Sequence, residues 1–278
     1  MKVKLVAAII TVLIIIVGFI MISPLILRPG NVETKQKVML SFSVLQSDDA
    51  VEWCKNLSSI LNAYDMSATV FVVGRVAEQY PQTVLSFSDK VDVGSETYSY
   101  RDLTNISDYS IKLEEVQKGK AAVDNAGHLD SRIFRAPYGA TDQDIYSLLS
   151  RSGILADFSY KNQYNVYQNG QFIRFDATVF EGRDHSPDFL LTVNRTLQPL
   201  IVDFDNTYST STIESFLSRL KMGDLEFVNA SELVGLALTQ RSLNMTHAEL
   251  FEVNFALEVE KDDLQIHRVH LVRFMAEK

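Results

Sequence analysis

Cysteine is almost absent from this chain: its 278 residues include one, Cys54. A single thiol excludes both an intramolecular disulfide and a thiolate zinc site. Cys54 lies in Val51-Glu-Trp-Cys-Lys-Asn-Leu57, with apolar neighbours at helical spacing. That is the setting of a buried structural thiol, not of a nucleophile. Excess positive charge is missing too, with 26 Lys and Arg against 35 Asp and Glu and a net charge of −9. No basic stripe is present, which excludes nucleic acid as a partner, because phosphate binding needs clustered cations. The acidity is read as solubility. No internal repeat or low-complexity tract occurs. A hydrophobic fraction of 46% and a charged fraction of 22% exclude a disordered, collagenous or multi-span membrane protein.

One long hydrophobic run is present. Leu5 to Leu27 carries no charge and is long enough to cross about 30 Å of hydrocarbon at about 1.5 Å per residue. A secretory signal would have a shorter apolar region followed by a small-x-small cleavage site, and Ser23-Pro-Leu-Ile-Leu-Arg28 offers none. The expectation is an uncleaved anchor over residues 1–28. Lys2 and Lys4 favour an inside N-terminus, while Arg28, Lys35 and Lys37 on the other flank reduce the asymmetry. Five N-x-Ser/Thr sequons begin at Asn56, Asn105, Asn194, Asn229 and Asn244. Chance gives about two, so the excess is mild. A single-pass protein of the cell membrane with its domain outside is the expected arrangement.

Residues 29–37 contain Pro29-Gly30 and read as a linker. Strand and helix signals then alternate. Val38–Phe42 is a short apolar run. Val51, Cys54, Leu57, Ile60, Leu61 and Tyr64 share one face of a helix over Asp49–Tyr64. Ala68–Val73 is a continuous β-branched run ending at Gly74, as expected for a strand buried on both faces. The pattern predicts further helices over 76–87, 107–125, 142–151 and 210–221, with a last one opened by Asn229 or Ser231. Strands are expected at 91–94, 132–135, 153–157, 200–203 and 226–228. Such alternation predicts an α/β domain of parallel strands with helices outside, as a barrel or a doubly wound sheet. Residues 241–278 differ: Phe251, Val253, Phe255, Leu257 and Val259 alternate with polar residues. A β-hairpin turning near Lys261-Asp-Asp263 is expected there. His267 and His270 would point to its opposite faces, so they do not form a shared metal site.

Four segments carry a family resemblance. They are Val38-Met-Leu-Ser-Phe-Ser43, Ala68-Thr-Val-Phe-Val-Val-Gly74 with Ala77-Glu-Gln-Tyr-Pro81, Val93-Gly-Ser-Glu-Thr-Tyr-Ser-Tyr100 with Asp102-Leu-Thr104, and Phe134-Arg-Ala-Pro-Tyr-Gly139. In order and spacing they resemble the polysaccharide deacetylases, the NodB-homology carbohydrate esterases. The resemblance extends over about 38–233. It implies a distorted parallel (β/α) barrel over residues 38–240, cell-envelope polysaccharide as partner, and N-deacetylation with one divalent metal.

Metal-dependent amide hydrolysis needs imidazole and carboxylate ligands, a general base, an acid and oxyanion donors. The positions that the resemblance assigns to these roles are mostly replaced. Ser43 and Val44 stand where the family has the base and the metal carboxylate. Glu96 and Tyr100 stand for the two metal histidines, and Asp203 for the late histidine that acts as acid. Of the metal positions Val44, Glu96 and Tyr100, only Glu96 is a competent ligand. Asp48-Asp49 is read as a helix start, where acids favour the positive dipole end. His128 and His185 are read as solvated. Arg135, Pro137, Tyr138 and Glu96 remain as substrate-binding candidates, the alternative for 135–139 being a strand end kept for its tight turn. A buried Arg135 requires a partner, expected to be Glu96, Asp157 or a ligand. The functional expectation is a non-catalytic protein that binds or scaffolds glycan without a cofactor. The alternative is a hydrolase with a rebuilt site around zinc, drawing on Glu96, Asp203 or Asp205.

Overall fold

The structure is a computed structural model that describes residues 35–159, 165–169, 172–176, 179–181 and 199–238. They fall in one compact unit, Lys35–Lys278. The expected anchor, His185, the sequons at Asn194 and Asn244, and the C-terminal hairpin with His267 and His270 lie outside the described residues. No helix among the described residues is long and apolar enough to cross a membrane.

The chain runs β1 (Gln36–Val44), α1 (Ala50–Tyr64), β2 (Ala68–Val72), α2 (Gly74–Gln79), α3 (Gln82–Leu85), β3 (Val91–Ser95), α4 (Tyr109–Gly127), β4 (Ile133–Phe134), α5 (Gln143–Arg151) and β5 (Ala156–Asp157). Next come β6 (Asn165–Asn169), β7 (Phe172–Asp176), β8 (Val179–Glu181), β9 (Leu200–Asp205), α6 (Thr210–Leu220) and β10 (Leu225–Val228). A final helix, α7, occupies residues 230–238. The strands form one sheet in the order β6-β7-β5-β4-β3-β2-β1-β9-β8. All its pairings are parallel except β6 with β7. Strand β1 lies at the centre. β9 occupies one edge over Val38–Ser43, so β10 (along Gln36–Met39) and β2 (along Ser41–Val44) share the other. The result is the curled, parallel half-barrel expected of an α/β chain with alternating elements.

Alternation along the strands sorts the core into two sides. Val38, Leu40, Phe42 and Val44 join Val70, Val72, Val202 and Phe204 in a cluster against Trp53, Cys54, Leu57 and Leu61 of α1 and Leu217 of α6. Met39, Phe71, Ile133, Ala156 and Ile201 form the other cluster, inside the curl. Cys54 is fully buried in the first of these clusters, as expected, and burial pushes its thiol up to about 12. Helix α7 closes one end of this interior with Ala230, Leu233 and Val234. Its start is a reciprocal cap: Asn229 Oδ1 accepts from the Glu232 amide at 3.0 Å, and Glu232 Oε2 accepts from the Asn229 amide at 2.8 Å. Thr69 Oγ1 and Asp92 Oδ2 accept the next two amides, from Ala230 and Ser231.

Two local expectations are corrected. The single helix over 76–87 is two short helices, because Pro81 cannot continue α2 and instead starts α3. Strands β6 to β8 fill a stretch where no element was expected. Asp48 and Asp49 do precede a helix start, as expected; the Asp49 carboxylate accepts from Ser47 Oγ at 2.7 Å and makes no hydrogen bond to a helix amide. His128 is exposed at the left-handed end of α4, as expected for a solvated side chain.

Candidate functional site

The C-terminal ends of β1, β3, β4 and β9 meet on the inner side of the curl, above its apolar floor. Register does the positioning. Ser41 is level with Asp203 and Ser43 with Asp205 on neighbouring β1 and β9. Ser95 of β3 is level with Phe134 of β4, so Glu96 and Arg135 follow one residue beyond each strand pair. The strand alternation puts Ser41 and Ser43 on the side of Met39, Asp203 and Asp205 on that of Ile201, and Arg135 on that of Ile133.

Arg135 organises this layer. It is buried, and its two terminal nitrogens donate to both carboxylate oxygens of Asp203, each at 2.5 Å. Nη1 also donates to Ser41 Oγ at 3.1 Å. The guanidinium carbon stands 5.9 Å from the Phe71 ring centre, over the apolar floor. Glu96 Oε1 is 4.0 Å from Nε, an ion-pair distance but not a hydrogen bond. The principal partner of Arg135 is therefore Asp203, which the sequence did not suggest; Glu96, which it did, stands as a weaker ion-pair partner. The planar fork matches a carboxylate on the adjacent side of the curl, and strand register delivers Asp203 there. Asp157 accepts from Ser159 Oγ at 2.6 Å, and Ser159 Oγ in turn accepts from the Ala136 amide at 2.7 Å. These bonds fix the chain on either side of Arg135.

Glu96 is 1% exposed, and its Oε2 accepts no hydrogen bond among the described residues. Burial raises its pKa to about 7; Arg135 and the Ser43 hydroxyl oppose that rise, and repulsion from Asp203 and Asp205 adds to it. Tyr100 is half-buried, and burial holds its phenol well above the usual range, with Glu96 adding to the effect. Its ring meets that of Tyr138 edge-on, with centroids 5.2 Å apart. Tyr138 is 70% exposed, while Pro137 beside it is buried. Thr97, Tyr100 and Tyr138 all take left-handed φ values, of 54°, 59° and 59°. A bend of this kind is unfavourable for residues with a Cβ and persists only where surroundings impose it. One such constraint is visible. Gly119 of α4 lies so close to the loop after β3 that a Cβ there would sit 2.6 Å from the Thr97 carbonyl carbon.

Residues 30–156 match the polysaccharide deacetylase family. Among solved structures, the chain resembles the peptidoglycan deacetylase PdaC from Bacillus subtilis, with a TM-score of 0.54 at 16% identity over 79% of this chain and 98% of that one. It also resembles BA3943, a CE4 family pseudoenzyme from Bacillus anthracis, with a TM-score of 0.55 at 21% identity over 72% of this chain and 66% of that one. A mutant of BA3943 with restored enzymatic activity is equally similar, at 20% identity and a TM-score of 0.55 over 72% of this chain and 68% of that one. Over residues 30–156 the chain is similar to the polysaccharide deacetylases, and it shares the fold of these solved structures.

The structure brings Ser43, Glu96, Arg135 and Asp203 into one layer, with Tyr100 and Tyr138 beside it. It separates Val44, which belongs to the apolar cluster against α1. The zinc that polysaccharide deacetylases imply does not fit this donor set. Ser43 offers a neutral hydroxyl, Val44 nothing, Tyr100 a phenol that resists ionisation, and Asp203 a carboxylate already engaged by Arg135. Among the described residues no three His, Cys, Asp or Glu side chains are grouped to hold an ion. Sequence reasoning missed Ser41 and Ser159 altogether. The odd-numbered alternation Met39, Ser41, Ser43 in β1 is the signal that pointed to the first. Ser159 had none, because its role arises from contact between two loops.

Proposed function

We propose that this chain is a non-catalytic relative of polysaccharide deacetylases, which binds or scaffolds cell-envelope polysaccharide. Its N-terminal run would hold it in the cell membrane by a single pass, with the domain outside. The observation that carries the reading is the Arg135–Asp203 clamp. In a deacetylase the arginine orients a catalytic base. Here Ser43 replaces that base, and the arginine is closed on a carboxylate that takes the place of the general acid. A guanidinium fixed in this way neither activates water nor protonates a leaving nitrogen, since it stays charged throughout the physiological range. What remains suits recognition: hydroxyls, a fixed ion pair, a buried carboxyl and an exposed aromatic ring, the groups that hold a sugar's polar edge and apolar face. No cofactor is expected; zinc belongs to the alternative reading as a hydrolase.

The test combines metal analysis, acetate release from N-acetylated glycans, and binding to immobilised envelope glycans. Binding without acetate release and without bound metal is expected. Release of acetate accompanied by one zinc per chain overturns the reading in favour of a rebuilt hydrolase. Absence of both binding and activity overturns it in favour of a purely structural domain.

A further inference from the structure

A concavity of about 540 Å³ opens at the N-terminal ends of β3 and β4, the opposite end of these strands from Glu96 and Arg135. Its floor is apolar, built from Leu85 of α3, Phe87, Val93 of β3, Leu129 and Leu155. Leu85 is 55% exposed and the other four are half-buried. For Val93 that is unusual, because β3 runs between β2 and β4, and a parallel strand inside a sheet is normally covered on both faces. A smaller hollow of about 450 Å³ shares Asp130, Arg132 and Leu155 with the first and extends it toward the end of α5. The two form a groove. A contiguous apolar floor within a polar rim marks an interaction site.

The rim carries an excess of negative charge. Lys120 and Arg132 are already paired with Asp124 and Asp130, and Lys90 beside the groove is paired with Asp65. Asp89 and Asp92 remain as the unbalanced charges of the lining. Burial raises the pKa of Asp92, the Ser231 amide opposes the rise, and repulsion from Glu232 adds to it. Positive charge is short at this end of the groove.

The chain itself holds a segment of matching chemistry. Helix α7 lines the groove through Ser231 and Val234, and residues 239–278 follow it. Within them the apolar run at 251–259 is interleaved with Glu252 and Glu258, which an acidic rim repels. Residues 264–276 are different: Leu264, Ile266, Val269, Leu271, Val272 and Phe274 accompany Arg268 and Arg273, with no acid among them. Reach is not limiting. The way back from residue 238 to Val234 is about 6 Å along a helix, whereas a dozen extended residues cover about 40 Å. A tether of this kind holds a segment near its site at high local concentration. We propose that residues 264–276 dock in the groove at the N-terminal ends of β3 and β4, with their apolar side chains on Leu85, Val93 and Leu129 and their arginines toward Asp89 and Asp92. The segment braces the start of α7 against the sheet, at the end opposite the Arg135 layer.

The test uses the full-length chain in detergent micelles and an introduced thiol as probe, since Cys54 is buried and silent. Leu85→Cys places a small apolar thiol on the groove floor. Ile111→Cys places one on an exposed position at the start of α4, away from the groove, which Gly127 lines at the other end of that helix. At position 85 a maleimide should react at least about tenfold more slowly than in the same variant carrying Arg268→Glu and Arg273→Glu, because a docked segment leaves the groove open for only a small fraction of the time. The rate at position 111 should not respond to the charge reversal. Equal rates at position 85 with and without the reversal overturn the proposal and leave the groove to a separate partner. Equal acceleration at both positions is general loosening of the fold and also overturns it. Protection that disappears on dilution means that a second copy supplies the segment, which overturns docking within one chain.

Discussion

Glu96 should make the folded protein less stable as the pH rises, and Glu96→Gln should cancel the effect. The carboxyl is 1% exposed, and its pKa rises from 4.5 to about 7 on folding. The folded state therefore holds this proton more tightly than the unfolded chain. Below the unfolded value both states are protonated and Glu96 contributes nothing to pH dependence. Between the two values the unfolded chain has released its proton and the folded one has not, so stability falls as pH rises. Above the folded value the penalty is complete. At about 1.36 kcal/mol per unit the full penalty is about 3 kcal/mol. A glutamine of nearly the same shape carries no such penalty. Urea denaturation of both proteins at about pH 5 and about pH 8 reads the difference directly. The wild type should lose about 2–3 kcal/mol more than the variant across that interval, with the variant the more stable at the upper end. Parallel pH profiles would refute the reasoning, since they would mean that Glu96 ionises in the folded state as readily as in water.

Arg135→Ala leaves Asp203 buried without its bidentate partner and should cost about 3–5 kcal/mol. Replacing both, as Arg135→Met with Asp203→Leu, should recover most of that in denaturant titrations, because no uncompensated charge remains. Gly119→Ala drives a methyl group into the Thr97 backbone and should cost at least about 1–3 kcal/mol, with weaker glycan binding because the loop carrying Glu96 and Tyr100 shifts. Cys54 should resist a disulfide-exchange thiol reagent in the folded protein at mildly alkaline pH and react fully on unfolding, a difference followed by absorbance.

Much of the fold is a consequence of local pattern. Ala68–Val73 and Asp49–Tyr64 announce themselves because a strand buried on both faces must be continuously apolar, and a surface helix must carry an apolar stripe. The parallel arrangement follows from the alternation of such segments. The β6–β8 stretch was illegible, since short strands such as Asn165–Asn169 mix polar and apolar residues without a clear period. The division of 76–87 turned on Pro81 alone, a signal present in the sequence but outweighed by the helical spacing around it.

The chain's motifs determine by themselves that Ser43, Val44 and Tyr100 bring a hydroxyl, an alkyl group and a phenol, which are poor metal ligands in any geometry. They also determine that Cys54 has no covalent partner within the chain. Only the tertiary structure decided what Arg135 does. Its choice among Glu96, Asp157 and Asp203 depends on which carboxylate the register of β1 against β9 presents to its fork, over a sequence separation that no local pattern encodes. The same holds for the unsatisfied oxygen of Glu96. Burial and the company of Asp203 and Asp205 are properties of the closed sheet, since desolvation and repulsion arise only once strands distant in the chain stand side by side.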